Sequence, residues 1–330
     1  MLQLKNTTPF ASNVALFPNE HGIDTLYTMV KASFRLENGW VLADEQIPPQ
    51  AEDEYWGEPS ASSLRLASDF HTGKLATDII MLGNAVAPNG QMVSQLDVEV
   101  NVGNISKSVK VFGDRIWKNG AITTAKPFNS MPVVYERAFG GIHQLDDESI
   151  LAEERNPVGR GFQGKRSASQ MEGTLLPNIE DPDELIQYPS DKPKPVGFGC
   201  CSPDWLPRRS FAGTYDERWQ KTRAPYLPKD FDSRFLNVAH PDLIYSGFIQ
   251  GGEFFSIKSM HPDGEITGEL PRVSMQCEIS VAGNKHRLPF FMETLIFEPN
   301  LKQVSMVWKA IFECDKQALK VSEIGIKFNR

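Results

Sequence analysis

No stretch of about twenty apolar residues occurs in this 330-residue chain, so a membrane-spanning helix is not expected. A surplus of basic residues is also missing. The formal net charge of -8 argues against broad nucleic-acid binding, which needs a basic face to release counterions from phosphates. Of the four cysteines, Cys200 and Cys201 are adjacent while Cys277 and Cys314 stand alone, which gives no CxxC-type spacing for zinc or redox chemistry. Four reduced structural thiols are the expectation, with a vicinal disulfide at Cys200–Cys201 the sharper alternative. The pattern GxSxG is absent, and the six histidines, His21, His71, His143, His240, His261 and His286, never fall at the i, i+4 spacing of a helix-borne metal pair. The start, MLQLKNTTPF, has neither the apolar core nor the cleavage pattern of a secretory signal, so cytoplasmic residence is the simplest expectation.

What is present reads mostly as strand. LYTMVKASFRL (26 to 36) is rich in β-branched and aromatic residues, and the Asn38-Gly39 pair after it signals a hairpin before WVLA. ATDIIMLGNAVA (76 to 87) is apolar enough for burial on both faces. SQLDVEVNVG (94 to 103) alternates, with Leu96, Val98, Val100 and Val102 on one side and Asp97, Glu99 and Asn101 on the other. SVKVFGDRIWKNG (108 to 120) ends in an Asn-Gly turn. Later, YSGFIQGGEFFSIKSM (245 to 260) predicts two strands broken at Gly251-Gly252, VSMVWKAIFEC (304 to 314) predicts a central strand, and KVSEIGIKF is a further strand. The absence of α/β alternation excludes a doubly wound sheet. The expected fold is mainly β: packed antiparallel sheets, sandwich-like, with a long irregular central loop and a few short helices. Residues 1–142 form a β-rich region, 143–204 a Pro/Gly/charged loop draped on the fold, and 205–330 an aromatic and basic segment followed by more strands, all read as one continuous module.

The stretch from Trp205 to Asp232, WLPRRSFAGTYDERWQKTRAPYLPKDFD, is dense in groups that are costly to bury unpaired. Thr214 and Glu217 have capping-box spacing, predicting a short helix that carries Tyr215 and Trp219 on one face and stops near Ala224, before Pro225. Trp205, Arg208, Arg209, Tyr215, Trp219 and Arg223 are therefore candidate partner-binding residues, since exposed aromatic and arginine side chains dominate interaction hot spots. Internal packing of Trp205, Tyr215, Trp219 and Tyr226 is the competing reading.

GRGFQGKR (159 to 166) matches the phosphate-cradling GxxxxGK pattern until Arg166 takes the place of the magnesium-coordinating Ser or Thr, and no buried strand or following helix flanks it. Arg160, Lys165 and Arg166, with Arg155, are better read as an exposed flexible basic patch that either contacts an acidic partner or is merely solvated. Asp69-Phe70-His71 with Asp78 has the donors for a metal, but polar groups at alternating positions more often mark a solvated face. Asp216 with Glu217, or Asp230 with Asp232, are the carboxylate pairs a glycosidase would need, and the neighbouring Arg and Lys make salt bridges the plainer explanation. No coherent catalytic set, cofactor site or metal site is expected.

Several blocks, SDFHTGKLATDIIMLGNA (68 to 85), KSVKVFGDRIW (107 to 117), YERAFGG (135 to 141), NPVGRGF (156 to 162), LPNIEDP (176 to 182) and GTYDERWQKTRAPYLPKDFD (213 to 232) with GGE (251 to 253), occur in an order that resembles one bacterial family. These are domain-of-unknown-function proteins encoded beside VgrG spike, PAAR-repeat tip and toxin genes in type VI secretion clusters. The resemblance implies a non-enzymatic cytoplasmic adaptor or chaperone. It would bind an effector or its PAAR-like carrier and aid loading onto VgrG, with protein partners and no nucleic acid or membrane. The alternative from another class is a carbohydrate-binding or carbohydrate-active β protein.

Overall fold

The computed structural model describes residues 2–37 and 39–329, and its backbone is mainly β. Asp24–Leu36 and Gln303–Glu313 pair antiparallel along their length at the middle of a six-stranded sheet. Ala11–Pro18 and Trp40–Leu42 flank the first of these strands, and Phe291–Glu298 flanks the second. Asp78–Met81 closes the far edge, running parallel to Phe291–Glu298. The hairpin to Trp40–Leu42 forms as expected, although Asn38 of its turn lies outside the described residues.

A five-stranded antiparallel sheet runs in the order Ile179–Glu180, Ile105–Phe112, Gln95–Val102, Phe254–Lys258, Ile266–Glu269. Val98, Val100 and Val102 point inward from it as the alternation requires, and meet Val30, Ala32, Phe34, Met306 and Leu295 of the six-stranded sheet in one core. A four-stranded sheet, ordered Gln3–Asn6, Val321–Phe328, Met275–Val281, Asn284–Pro289, packs Ile279 and Ile324 against Leu26 and Ala310 of the same central strands. Two packed cores thus lie on one face of the central pair. The opposite face, with Tyr27, Met29, Lys31, Ser33, Val307 and Lys309, is buried as well, because residues 43–77 and 198–238 cross over it.

The 143–204 region is ordered rather than featureless. It holds short strands at Ile142–Gln144, Ile150–Ala152 and Arg160–Gly161, and its Phe162, Met171, Leu176 and Ile186 form a small core with Trp117 and Phe139. Its edge strand, Ile179–Glu180, completes the five-stranded sheet. One expectation needs correction. Tyr245–Gln250 forms no strand: the segment is pinned by single bonds, Tyr245 N to Thr77 O and Thr77 N to Gly247 O, and only Phe254–Lys258 continues the sheet. YERAFGG is a 3-10 turn, Tyr135–Arg137, followed by the two-residue strand Phe139–Gly140.

Glycine is required where that two-residue strand passes the Asn156 carbonyl. At Gly140 φ is +151°, and a Cβ would overlap the Asn156 oxygen. Gly140→Ala should therefore lower unfolding stability by about 2–4 kcal/mol, through overpacking added to backbone strain. Gly120→Ala, with φ +74° but open space around it, should cost only about 1 kcal/mol. Urea unfolding of both variants measures the contrast.

Candidate functional site

Segment 205–237 enters the fold at Trp205, which is 2 % exposed and packs edge-on against Tyr135 with ring centroids 5.3 Å apart. Three residues later Arg208 is buried too. Its Nε donates to the Phe235 carbonyl (2.8 Å), its Nη1 to the Cys201 carbonyl (2.9 Å), and its guanidinium lies 4.7 Å over the Phe235 ring. Burial lowers its pKa from the ordinary arginine value. The start and end of the segment are thereby tied together.

Between these ties the chain loops outward. Thr214 does not cap the helix as expected; its hydroxyl and N–H donate to the two carboxylate oxygens of Asp230 (2.7 and 3.1 Å), closing the loop at its base. Asp216 is the N-cap instead, accepting from Trp219 N at 2.8 Å, because it is the residue directly before a helix that begins at Glu217. The helix is Glu217–Thr222. Tyr215 precedes it but still meets Trp219 edge-on at 4.7 Å, while Trp219 Nε1 donates to the Tyr226 carbonyl. Arg223 fastens the tip to the sheet, donating to the Leu227 and Glu20 carbonyls, and the Tyr226 ring lies over Gly22.

This excursion leaves a cleft on each flank. One, of about 440 Å³, is bounded by Phe17, Tyr215, Tyr226, Leu227, Phe231 and Phe235. The other, of about 430 Å³, is bounded by Leu75, Arg208, Phe211, Arg234, Ile244 and Tyr245. Tyr215 (53 %), Tyr226 (41 %) and Leu75 (56 %) remain exposed at their rims.

Beneath lies a buried polar network on the outer face of the six-stranded sheet. Lys309, 1 % exposed, places Nζ 2.9 Å from Glu293 Oε2 and 3.0 Å from both the carbonyl and Nδ1 of His71. Lys74 N donates to Glu293 Oε1 (2.8 Å), and Lys74 Nζ donates to Asp78 (2.7 Å) and Thr294 (2.8 Å). Asp78 also accepts from Asn237 Nδ2 and Val238 N. Burial opposes the Lys74 charge, but Asp78 and Glu293 outweigh it and hold its pKa above the ordinary lysine value. For Lys309 burial wins over Glu293 and the pKa is lowered. Burial and the two lysines push His71 well below the usual histidine value. The solvated-face reading of Asp69, His71 and Asp78 is therefore corrected: distant segments cover that face, and lysines fill the place where a cation would sit.

A third cleft, of about 330 Å³, has Tyr135, Arg155, Lys194 and His240 among its walls. Nδ1 of His240 accepts from Lys107 Nζ (3.2 Å) and Asp242 N (3.3 Å), and Nε2 donates to the Pro195 carbonyl (3.3 Å). Both nitrogens are committed in the neutral ring. Burial, then the Lys107 charge, lower its pKa to about 4.

Of the residues nominated from sequence, Tyr215, Trp219 and Arg223 come together in the excursion, with Trp205 and Arg208 at its buried root. Arg209 pairs with Glu154 at 3.1 Å on the surface. Arg160, Lys165 and Arg166 lie elsewhere. Arg160 donates to the Glu136 carbonyl and Asn178, Arg166 to the carbonyls of Phe162 and Gln163, and of the three Lys165 alone is exposed. Arg160–Gly161 pairs parallel with Phe139–Gly140, so GRGFQGKR is not a strand-to-helix phosphate loop. Phe211, Phe235, Arg234 and Leu75 were missed, as were Lys309 and Glu293. The available signal was a lysine in the otherwise apolar run VSMVWKAIF.

The fold and site define a mainly β protein of packed sheets that presents an aromatic excursion over a buried ion-pair network. Among the described residues no cluster of three or more metal-ligating side chains occurs, and no helix is long and apolar enough to cross a membrane. Residues 21–309 match a family described as an uncharacterized protein conserved in bacteria (DUF2169), and the chain belongs to that family. No curated protein and no solved structure matches it.

Glu293→Gln leaves the Lys309 ammonium buried beside a neutral amide and should destabilise the fold by about 3 kcal/mol; adding Lys309→Met should recover most of that loss. Chemical denaturation of the single and double variants tests this. The depressed His240 pKa gives a second expectation. The unfolded state binds a proton near pH 6.5 that the native ring resists until about pH 4, so stability is complete above the first value and falls as pH drops toward the second. The loss is on the order of 3 kcal/mol, and His240→Gln should flatten that part of the stability–pH curve.

Proposed function

We propose that this protein is a non-enzymatic adaptor or chaperone of bacterial type VI secretion. It binds an effector or its PAAR-like carrier in the cytoplasm and aids loading onto the VgrG spike. Two things support the reading: the ordered sequence blocks that resemble proteins of such gene clusters, and the excursion at residues 213–232. The observation that carries it is that excursion, which holds Tyr215 and Tyr226 half out of the fold beside two apolar clefts. A monomer gains nothing by leaving such surface uncovered unless something docks there.

The carbohydrate alternative needs two carboxylates opposed across a groove. Asp216 caps the helix, Glu217 pairs with Lys221, Asp230 holds Thr214 and Asp232 holds Arg234. No observation favours that alternative.

A tagged chain expressed with the effector, PAAR and VgrG proteins of its own gene neighbourhood should retain at least one of them through size exclusion at micromolar concentration. Deletion of the gene should abolish delivery of that effector. Retention of none, together with intact delivery in the deletion strain, would sink the proposal.

A further inference from the structure

We infer that the two clefts flanking the 205–236 segment together hold one extended, acidic peptide stretch of the partner protein. One apolar side chain enters each cleft, and a carboxylate between them faces the arginine-lined wall that separates the clefts. This inference rests on the adaptor reading and specifies how the partner is held.

The wall is built from stacked pairs. Arg208 lies over Phe235 at 4.7 Å, Arg234 over Phe211 at 4.2 Å, and Phe231 meets Phe235 edge-on at 5.8 Å. Phe231 and Phe235 face one cleft, and Phe211, Arg208 and Arg234 face the other. The floors are continuous, since His71 and Thr72 line the first cleft and Leu75 and Ala76 the second. Thr72 and Leu75 are three steps apart along the chain, so their Cα atoms are separated by no more than about 11 Å. An extended peptide covers such a span in about two or three residues. Two anchors at that separation suit these two cavities.

Charge selects the acidic character. Between Trp205 and Leu236 there are seven Lys or Arg and four Asp or Glu, in a chain whose net charge is -8. The four carboxylates are each engaged by a helix N-terminus, a threonine, a lysine or an arginine of the same segment. Arg208 is 91 % buried, lines the cleft, and donates to two backbone carbonyls; among the described residues no carboxylate lies within hydrogen-bonding distance of it. A guanidinium desolvated in an apolar cleft without a counter-ion is an incomplete pair, and a ligand carboxylate completes it. A lysine-rich or wholly apolar segment would leave that charge unmet.

The test uses the full chain and end-labelled synthetic peptides. These carry two leucines or phenylalanines separated by two or three positions, with Asp and Glu as the remaining residues; a control set has Lys in place of the acids. Fluorescence anisotropy should show saturable binding of the acidic set, at least about tenfold tighter than the lysine set. Leu75→Arg changes an exposed side chain and should leave the urea midpoint unmoved while weakening binding by about tenfold; Tyr226→Ala also loses the contact over Gly22 and should weaken binding by about tenfold with a small drop in that midpoint. Arg234→Glu should erase the preference for acid over lysine. No binding, or equal binding of the two sets, overturns the inference. So does concentration-dependent self-association of the chain that Leu75→Arg removes, because the occupant would then be a second copy. Co-purification separates the two levels of the argument. A neighbourhood partner retained by the native chain and lost by Leu75→Arg supports both. One retained equally by both overturns this inference and leaves the adaptor reading standing. Retention of no partner, together with intact delivery in the deletion strain, removes the adaptor reading and this inference with it.

Discussion

An ammonium group in the middle of a sheet must be met by an anion, and Lys309 is placed on a strand that pairs with neighbours on both sides. Its counter-charge, Glu293, sits two residues beyond Phe291, which pairs with Lys309, and so faces the same surface; the irregular register between Met292 and Thr294 then brings Thr294 onto that surface as well. Glu293 has a second oxygen to satisfy, and the backbone N–H of Lys74 fills it. Lys74 in turn needs Asp78, and Asp78 draws in Asn237 and Val238 N. One buried charge thus fixes the positions of four segments that are far apart in sequence.

Such a network contributes little net stability, because desolvation consumes most of the Coulomb attraction. Its effect is on uniqueness. Apolar residues at these positions would accept several registers of the covering segments, whereas each hydrogen bond here admits one. The crossing of residues 71–78 over the sheet is set by these bonds, and the 205–237 segment is laid over it by Asn237 at one end and Trp205 at the other. The clefts exist because the excursion is supported at its root and tip and leaves its flanks unfilled.

Much of the framework was legible in the sequence. The alternation in residues 95–102 put Val98, Val100 and Val102 inward, and Asn119-Gly120 turns the hairpin that pairs Trp117–Lys118 with Ala121–Ile122. The apolar run around residues 304–314 is a central strand. What escaped depends on contacts between distant segments. Asp69, His71 and Asp78 sit where a solvated face is the ordinary outcome, and only the covering residues 198–238 make it a buried one. At the helix start Thr214 and Asp216 both have capping side chains, and the choice was settled by Asp230, sixteen residues away, which takes the threonine. Arg160 and Arg166 read as a patch because local composition cannot reveal that backbone carbonyls receive them.

The same distinction decides which part of the surface is free for recognition. Arginine and aromatic residues are costly to order, so a fold that commits them internally has little left to offer a partner at that place. In the 156–166 turn the Arg166 guanidinium is consumed by carbonyls of its own loop, and that of Arg160 by the Glu136 carbonyl and the Asn178 side chain. In the 213–232 excursion the polar tethers are few and sit at its base and tip, through Thr214–Asp230 and Arg223–Glu20, while Tyr215 and Tyr226 between them stay partly exposed. A segment held this way opens at lower free energy than the sheets beneath it, yet its apolar surface stays in one direction. That combination of local freedom on a rigid base is what a docking surface needs and what a core plug does not. The rigidity comes from the lysine-centred network below, so any recognition built on the excursion depends on charges that never touch the partner.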